Sequence, residues 1–234
     1  MALKVAINGT GRIGIIVAKI IAERDDIELV ALNTTSKPEM LEYLLKFDSV
    51  HRGVDAKVID DNTISIAGKN VRMFSERDAD KVDFGGAGAQ VVIECTGVFL
   101  DTVSCQKHLK NGVRKVVISA PAKDDTPMYV IGVNSSDYKG EAIISNASCT
   151  TNCLGPICKV LDTAFGIENA LMTTIHSYTN DQNILDVKHA KDPRRARAAA
   201  LNMIPTSTGA AKAIGKVMPH LQGKLNGYAM RVPT

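Results

Sequence analysis

The sequence has no tryptophan, and phenylalanine and tyrosine together make up only 4% of its 234 residues. An interior with so few aromatic rings must be packed with aliphatic side chains. No apolar run is long enough to cross a bilayer, which argues against a membrane-spanning helix. The N-terminal residues enter a strand directly, without the charged and then apolar stretch of a secretion signal. We therefore expect a cytoplasmic protein with no membrane partner.

Paired cysteines and a strong excess of charge are also missing. The five cysteines lack paired CxxC spacing and nearby histidine pairs, which argues against a zinc site. A reducing cytosol argues against disulfides. The net charge of +3 is too small to indicate nucleic-acid binding. We therefore expect no metal centre and no nucleic-acid partner in an ordinary globular chain.

The N-terminal part of the chain alternates strand and helix patterns. Residues 4–8 form an apolar run, residues 13–21 repeat apolar side chains at helical spacing, and residues 27–33 predict a second buried strand. Such a unit requires a parallel sheet and a right-handed crossover. Residues 63–66 and 70–74 predict a hairpin, and residues 91–94, 115–120 and 142–146 predict further strands. The pattern changes near residue 147, where we place a domain boundary.

A glycine-rich turn joins the first strand to the first helix. Residues 9–14 read GTGRIG and match GxGxxG in the βαβ context that makes this motif informative. Gly9 suits the tight turn, Gly11 allows a pyrophosphate to approach the backbone, and Gly14 allows the helix to pack closely on the strand. A purely structural turn is the alternative, but the context favours dinucleotide binding.

The end of the second strand lacks the acid that usually accompanies this motif. A carboxylate about 20 residues after the glycines normally binds the ribose hydroxyls of the cofactor. Here residues 32–37 read LNTTSK, with neutral Thr34 and with Lys37 close behind. Without the acid, a 2′-phosphate meets no repulsion, so we expect a relaxed or shifted cofactor preference. A solvated turn is the simpler alternative.

A cysteine stands where a second helix begins. Cys149 immediately precedes a helical apolar stripe, and the end of a helix at that position favours a thiolate. His176, on a predicted strand, is a candidate base, although the spacing alone proves nothing. The other four cysteines fit the commoner role of buried structural residues. The four remaining histidines belong to no motif and are assigned to the surface or to packing.

The segment SNASCTTN at residues 145–152 closely resembles the active-site signature of the glyceraldehyde-3-phosphate dehydrogenase family. Further segments resemble the same family in the same order. They are NGTGRIG (8–14), ERD (76–78), ECTGVF (94–99), VVISAPAKD (116–124), TTIHSYTNDQ (173–182), RRARAAALNMIPTSTGAAKA (194–213) and MRVPT (230–234). Such an ordered set covers essentially the whole chain and is far more specific than any single motif.

The resemblance implies an α/β fold with two domains. Residues 1–147 would form a Rossmann NAD(P)-binding domain, and residues 148–234 would form the N-terminal part of an α+β catalytic domain. The family sequence continues beyond the position of Thr234, so we expect the chain to be truncated at its C-terminal end. The family forms homotetramers, and residues 178–200 resemble its interface loop near the neighbouring cofactor.

The resemblance also implies a reaction. Cys149 would attack the aldehyde carbon of glyceraldehyde 3-phosphate, and His176 would take the thiol proton and then stabilise the oxyanion with the Cys149 backbone N–H. Hydride transfer to NAD and/or NADP would leave a thioester, which inorganic phosphate would cleave to 1,3-bisphosphoglycerate. The direction of this step in the cell, glycolytic or gluconeogenic, stays open.

The remaining site residues come from matching positions in the family. Thr179 and Arg231 match ligands of the substrate phosphate. Ligands of inorganic phosphate are matched by Ser148, Thr150, Thr208 and Gly209. One arginine of the Arg194–Arg195 pair is expected to assist; the sequence does not distinguish the two, and we take Arg195. Three nearby arginines without interleaved aromatics make a poor nucleic-acid patch. Cofactor contacts are expected at Gly9, Gly11, Arg12, Ile13, Gly14, Thr34, Arg77, Thr96 and Ser119.

Two alternatives stay open. Erythrose-4-phosphate dehydrogenase shares the cysteine and histidine segments but hydrolyses its thioester, and residues 206–211 here follow the phosphorylating pattern instead. A binding protein that kept the fold and lost catalysis is the second alternative. Intact Cys149 and His176 argue against it, and thiol reactivity would separate the two.

Overall fold

A computed structural model describes residues 2–234 and divides the chain into two compact units. The first contains the residues up to Tyr129 together with Tyr138–Ala147. The second contains Val130–Asp137 and Ser148–Thr234. The segment 130–137 thus packs with the second unit, although the sequence pattern assigns it to the first domain. The reason lies in Gly155, where an added Cβ would stand 3.2 Å from Val133 Cγ2, so the helix that carries it lies directly against this segment.

The first unit is a mixed sheet with helices in the connections. In chain order it contains β1 (Leu3–Asn8), α1 (Arg12–Ala22), β2 (Ile27–Asn33), α2 (Pro38–Lys46), β3 (Ala56–Asp60), β4 (Thr63–Ile66), β5 (Lys69–Phe74), β6 (Val91–Glu94), α3 (Thr102–Gln106), β7 (Lys115–Ile118) and β8 (Ile143–Ser145). The strand order is β3-β4-β5-β2-β1-β6-β7-β8. All neighbours from β5 to β8 run parallel, and β3 and β4 are antiparallel additions.

Aliphatic packing explains this order. β1 lies between β2 and β6, and its last four residues are fully buried, as expected for a central strand covered on both faces. Ile15, Ala18 and Ile21 of α1 pack against it in one cluster with Leu32 and Leu45. The predicted α/β Rossmann architecture is therefore confirmed, as is the hairpin formed by β4 and β5.

The second unit combines α4 (Cys149–Phe165), β9 (Ala170–Ser177), β10 (Ile204–Ser207), α5 (Ala210–Val217) and β11 (Leu225–Val232). β11 is central, parallel to β9 and antiparallel to β10. Side chains of β9 alternate, so His176 lies on the more covered face, whereas Leu171 and Ile175 are exposed. The register pairs Arg231 of β11 with His176 of β9. Register partners point to the same face of a sheet, so these two side chains are neighbours.

The described residues contain neither a membrane-spanning helix nor a cluster of metal-binding side chains. Between residues 2 and 234, no helix has both the length and the apolar character needed to traverse a lipid bilayer. Over the same range, no group of three or more His, Cys, Asp or Glu side chains is arranged to hold a metal ion.

Candidate functional site

A cleft of about 510 Å³ opens in the first unit where the parallel strands end. The glycine turn forms one wall, and the residues after β2, β5 and β6 form the others. Its lining residues are Asn8, Gly9, Thr10, Gly11, Asn33, Thr35, Ser36, Glu76, Arg77, Ala79, Cys95, Thr96, Val98 and Phe99. The carboxyl edge of a parallel sheet is the usual place for a nucleotide ligand in this architecture.

The three glycines of the turn differ in the space around them. Gly9 has φ +95°, and an added Cβ would meet Thr96 Cγ2 at 2.8 Å. At Gly14 the Cβ would stand 1.9 Å from the carbonyl oxygen of Gly9, so the helix packs against the turn backbone. Gly11 has nothing within 4 Å of such a Cβ and is the N-cap of α1 without a side-chain cap. The turn therefore leaves open space and free helix N–H groups, an arrangement to which an anion can bind.

Arg12 is held at the start of α1 by a carboxylate that the sequence motif does not reveal. Its Nη1 and Nη2 donate to the two Asp48 carboxylate oxygens at 2.8 and 3.2 Å, and Lys19 Nζ donates to the same group at 3.0 Å. Arg12 and the backbone N–H groups of His51 and Val50 hold the pKa of Asp48 far below its ordinary value. Since Asp48 lies 36 residues from Arg12, only tertiary structure could pair them. Ile13, also expected near the cofactor, is half exposed.

A buried polar network supports the floor of the cleft. Asn8 Nδ2 donates to Glu94 Oε2 at 2.6 Å, and Asn33 Nδ2 donates to Asn8 Oδ1 at 2.8 Å. The other Glu94 oxygen accepts from both the backbone N–H and the hydroxyl of Thr96. His108, fully buried, lies with Nε2 3.4 Å from Glu94 Oε2. Glu94 therefore fixes the turn that carries Thr96, one of the expected cofactor residues.

Thr34 faces the glycine turn and is buried. Its hydroxyl accepts from Thr10 Oγ1 at 2.6 Å and from the backbone N–H of Ser36 at 3.1 Å. The exposed neighbours Thr35 and Ser36 line the cleft instead. The pattern at the end of β2 did not indicate this inward orientation.

The other expected cofactor residues lie at the strand ends. Arg77 lines the cleft together with Glu76, whose backbone is bonded to the Asn33 side chain in both directions. Ser119 donates its backbone N–H to the Glu94 carbonyl after β7. Glu76 therefore supplies a carboxylate at the cleft, which the residues at the end of β2 did not predict.

The second unit brings Cys149 and His176 together. Cys149 is the first residue of α4, and its Sγ lies 3.3 Å from His176 Nε2. His176 Nδ1 lies 2.7 Å from the carbonyl oxygen of Ser177. Because a carbonyl oxygen only accepts, Nδ1 carries a proton, and in the neutral imidazole Nε2 is free to accept the thiol proton. The geometry provides a thiol with its base in contact.

Ser148 and Thr150 flank Cys149 at the start of α4. Ser148 is the N-cap, and its Oγ accepts from the backbone N–H of Thr151 at 3.0 Å. Thr150 Oγ1 is 3.9 Å from the Cys149 sulfur. Ser148 therefore has a structural role in starting the helix in addition to any ligand it contacts.

Arg231 stands near the reacting pair, because it is the register partner of His176. Arg231 Nη1 donates to Thr179 Oγ1 at 2.5 Å, and its buried Nε has no hydrogen-bond partner within residues 2–234. Burial and the nearby Arg195 guanidinium lower the pKa of Arg231, while Asp181 and Cys149 act in the opposite direction. Of the Arg194–Arg195 pair, Arg195 is the one connected to Arg231, because it donates to Asp181, whose backbone N–H donates to the same Thr179 hydroxyl that Arg231 contacts. Arg194 pairs with Asp192 and is about half exposed.

Thr208 and Gly209 lie at the start of α5. Thr208 Oγ1 accepts from the backbone N–H of Ala210 at 3.2 Å, and Gly209 is the N-cap of the helix. Their observed hydrogen bonds therefore belong to the turn that begins α5. A role for either residue in binding phosphate stays a prediction.

Four of the cysteines lie outside the thiol–imidazole pair, and one of them, Cys153, is not buried as the sequence analysis predicts. Burial raises the pKa of Cys95 to about 11 and that of Cys105 to about 12, and it also raises the pKa of Cys158. Cys153 is exposed on α4 and is not a buried structural residue. Its position four residues after Cys149 puts it on the same side of the helix.

The fold and these two sites define a dinucleotide-dependent oxidoreductase with a cysteine–histidine pair. Sequence profiles agree with this class. The family described as "Glyceraldehyde 3-phosphate dehydrogenase, NAD binding domain" matches residues 3–102, and "Glyceraldehyde 3-phosphate dehydrogenase, C-terminal domain" matches residues 148–234. The chain belongs to the glyceraldehyde-3-phosphate dehydrogenase family, and its first unit contains the NAD-binding domain of that family.

Similar proteins come from distant organisms. The chain is 52% identical to glyceraldehyde-3-phosphate dehydrogenase of Priestia megaterium, over 100% of this chain and 70% of the relative. Glyceraldehyde-3-phosphate dehydrogenase 1 of Bacillus subtilis shows the same identity and coverage. A cytosolic enzyme of that name from Dianthus caryophyllus is 51% identical over 99% of this chain and 70% of the relative. The chain therefore spans 70% of the length of these relatives.

Alanine substitutions at two glycines of the turn distinguish a loss of packing, measured as stability, from a loss of ligand contact, measured as NAD affinity. Gly14→Ala forces a methyl group onto the Gly9 carbonyl, so we expect a loss of about 1–3 kcal/mol of stability together with weaker NAD binding. Gly11→Ala meets no protein atom and should weaken NAD binding at nearly unchanged stability. Calorimetry and NAD titration measure the two effects. A Gly14→Ala protein as stable as the unsubstituted one would contradict the packing argument.

Thiol labelling tests the assignment of Cys149. Iodoacetamide near neutral pH should modify Cys149 first, because His176 is in contact to take its proton, and the exposed Cys153 second. Cys95, Cys105 and Cys158 should react last, because burial raises the pKa of each. Peptide mass spectrometry over a time course gives the order. Equal rates for Cys149 and Cys153 would show that exposure alone controls the labelling.

Proposed function

We propose that this protein catalyses the oxidative phosphorylation of glyceraldehyde 3-phosphate to 1,3-bisphosphoglycerate with NAD as hydride acceptor. One observation carries the proposal: a thiol at a helix start lies 3.3 Å from an imidazole nitrogen whose partner nitrogen is bonded to a backbone carbonyl. A thiol activated in this way can hold an acyl group. The Arg231 guanidinium, on the strand next to that of the imidazole, suits an anionic substrate.

The bonds made and broken in this reaction, and the proton that moves, can be assigned to Cys149 and His176. His176 Nε2 takes the thiol proton as Cys149 Sγ forms a bond to the aldehyde carbon. The oxygen of the resulting hemithioacetal is stabilised by the imidazole and by backbone N–H groups at the start of α4. Loss of hydride from that carbon leaves a thioester. An oxygen of inorganic phosphate then attacks the thioester carbon, the C–S bond breaks, and the acyl phosphate leaves with the Cys149 thiolate regenerated.

The cleft of the first unit fits a dinucleotide. An anion can approach Gly11 because nothing fills the space there, and the N-terminus of α1 has no side-chain cap. NAD supplies the two-electron oxidant by accepting the hydride. Arg12, fixed by Asp48, and the glycine turn hold the pyrophosphate, while Thr96, Arg77 and Ser119 line the nucleoside side.

The anions of the substrates need cationic partners in the second unit. Arg231 and Thr179, already bonded to each other, bind the phosphate of the aldehyde. Arg195, with Ser148, Thr150, Thr208 and Gly209, binds inorganic phosphate. The unpartnered Nε of Arg231 supports this assignment, because a buried donor without an acceptor is costly unless a ligand satisfies it.

NADP is accepted alongside NAD in this proposal. The absence of an acid at Thr34 removes a repulsion, and the hydroxyls of Thr35 and Ser36 line the cleft nearby. Glu76 also lines the cleft and supplies a carboxylate from the end of β5. This carboxylate can accept from the ribose hydroxyls of NAD and would repel a 2′-phosphate, so NAD binding is retained and NADP is the weaker of the two cofactors.

Assembly and location belong to the same proposal. The segment after β9 exposes several large apolar side chains, namely Ile184, Leu185, Leu201 and Met203. Large apolar side chains exposed in one segment favour association, which supports a homotetramer. We place the protein in the cytoplasm, as the name of the Dianthus relative states for that enzyme.

Replacing His176 tests the reaction. In the full-length protein, His176→Asn should keep NAD binding but slow the NADH burst that accompanies acylation by about 100- to 10,000-fold, the range for loss of a general base. Iodoacetamide should also react more slowly with Cys149. Stopped-flow absorbance with glyceraldehyde 3-phosphate, with and without phosphate, gives the acylation and release steps. An unchanged burst would place the base elsewhere, and turnover without phosphate would indicate a hydrolysing enzyme.

Cofactor selectivity is tested at one position. Thr34→Asp should lower the affinity for NADP by about tenfold or more relative to NAD, because the carboxylate stands near the 2′-phosphate. Thr10 Oγ1 and the Ser36 N–H, which now serve Thr34, can serve the carboxylate. Thr34→Asn is the uncharged control and should leave the ratio nearly unchanged. If the unsubstituted protein already rejects NADP, the interpretation of this turn is wrong.

A further inference from the structure

A closed ring of hydrogen bonds and one ion pair holds Arg195 in the second unit. Arg195 Nη1 donates to Asp181 Oδ2 at 2.8 Å, and its Nε donates to Thr206 Oγ1 at 2.7 Å. Thr206 Oγ1 donates in turn to Asp192 Oδ2 at 3.3 Å. The backbone N–H of Asp192 donates to His189 Nδ1 at 3.1 Å, and His189 Nε2 lies 3.5 Å from Asp181 Oδ1. These five residues are called the Arg195 ring below.

His189 has a defined tautomer in this ring. Its Nδ1 accepts from two backbone N–H groups, those of Lys191 and Asp192. A nitrogen that accepts has a free lone pair, so the proton of the neutral imidazole lies on Nε2, which faces Asp181. The side chain is only 10% exposed, and the sequence pattern alone had assigned it to the surface or to packing. His189 thus connects the 189–192 turn to the Asp181 carboxylate.

The Arg195 ring counteracts the electrostatic repulsion between Arg195 and Arg231. Asp181 connects Arg195 to Arg231, because its carboxylate accepts from Arg195 while its backbone N–H donates at 3.3 Å to Thr179 Oγ1, the atom that also accepts from Arg231. Two like charges held by one turn repel each other, and the nearby Arg195 guanidinium lowers the pKa of Arg231. Burial raises the pKa of Asp181, but Arg195 and His189 outweigh burial and keep this pKa below its ordinary value. Asp181 therefore stays ionised and can hold Arg195 in place. Without a fixed carboxylate, Arg195 would turn toward water and away from Arg231.

We propose that His189 is a positioning residue that, through Asp181, holds the Arg195 guanidinium beside Arg231, so that two cations face the anion bound near Cys149. The proposal rests on the proposed function and deepens it, because it names what maintains the inorganic-phosphate subsite. His189 contacts neither the thiol nor the imidazole of the reacting pair. Its effect is therefore expected on anion affinity and not on the chemistry of Cys149.

Two amide substitutions divide the functions of His189. Asn places its amide near the position of Nδ1 and keeps an acceptor for the turn, but it is too short to reach Asp181. Gln can place a donor near the position of Nε2 and keeps the link to Asp181. We expect His189→Asn to raise the KM for inorganic phosphate about 3- to 30-fold with kcat changed less than about twofold. His189→Gln should recover most of this loss.

His220→Asn is the matched control. His220 Nε2 contacts Asp162 Oδ2 at 2.6 Å, which gives a second histidine–aspartate pair in the same unit without any link to Arg195. The His220→Asn variant should have the same KM for phosphate as the unsubstituted protein. If His189→Asn resembles this control, or if His189→Gln is the worse of the two His189 variants, the proposal is overturned.

A double-mutant cycle tests the route of the effect. Arg195→Gln removes the cation that His189 is proposed to position. If His189 acts through Arg195, adding His189→Asn to Arg195→Gln causes no further rise in the KM for phosphate. A full additional rise in the double variant would show that His189 acts by another route and would overturn the proposal.

An alkylation ratio makes the result independent of turnover. Iodoacetate is an anion and iodoacetamide is neutral, so the ratio of their rates at Cys149 reports the nearby positive charge. His189→Asn should lower this ratio several-fold at low salt without changing the iodoacetamide rate. An unchanged ratio overturns the proposal about His189, whether or not the protein oxidises the aldehyde. A protein that does not oxidise the aldehyde would contradict the proposed function but not the proposal about His189.

The unsubstituted protein provides a measurement that needs no variant to fold. Nitrogen NMR of the neutral His189 imidazole should show the proton on Nε2. A proton on Nδ1 would break the ring at the 189–192 turn and would overturn the proposal.

Discussion

Parallel strands end at one edge of their sheet, and the cleft of the first unit depends on this constraint. Because β1, β2, β5 and β6 run in the same direction, the residues that follow them meet around a single opening. Polar side chains brought together at such an edge must satisfy one another. Asn8, Asn33 and Glu94 do so, and their hydrogen bonds hold the turns that line the cleft.

The second unit solves a different problem, which is to hold positive charge beside a thiol. A helix start, an imidazole with one nitrogen hydrogen-bonded to a backbone carbonyl, and the Arg231 guanidinium lie near one another. Hydrogen bonds through Thr179 and Asp181 connect Arg195 to Arg231. Each of these groups favours an anion, and two of them repel each other. The carboxylates of Asp181 and Asp192 offset part of that repulsion without contacting the thiol.

Local patterns predicted what local physics controls. The buried strands, the glycine turn and the helix start at Cys149 were all visible, because each is encoded within about ten consecutive residues. The pairing of Arg12 with Asp48 and the ring around Arg195 were not visible, because they join residues that no periodicity connects. The inward orientation of Thr34 and the packing of residues 130–137 against Gly155 likewise depend on neighbours that are distant in the sequence.

The bare N-terminus of α1 has a thermodynamic consequence. A helix whose N-cap is glycine lacks the side-chain acceptor that normally stabilises its first turn, which costs about a few tenths of a kcal/mol relative to a serine or aspartate cap. A bound pyrophosphate supplies that acceptor, so the ligand acts as the missing cap. Ligand occupancy and the order of this turn are therefore linked: free cofactor protects the unit from unfolding, and a cell depleted of the cofactor holds a less heat-resistant protein.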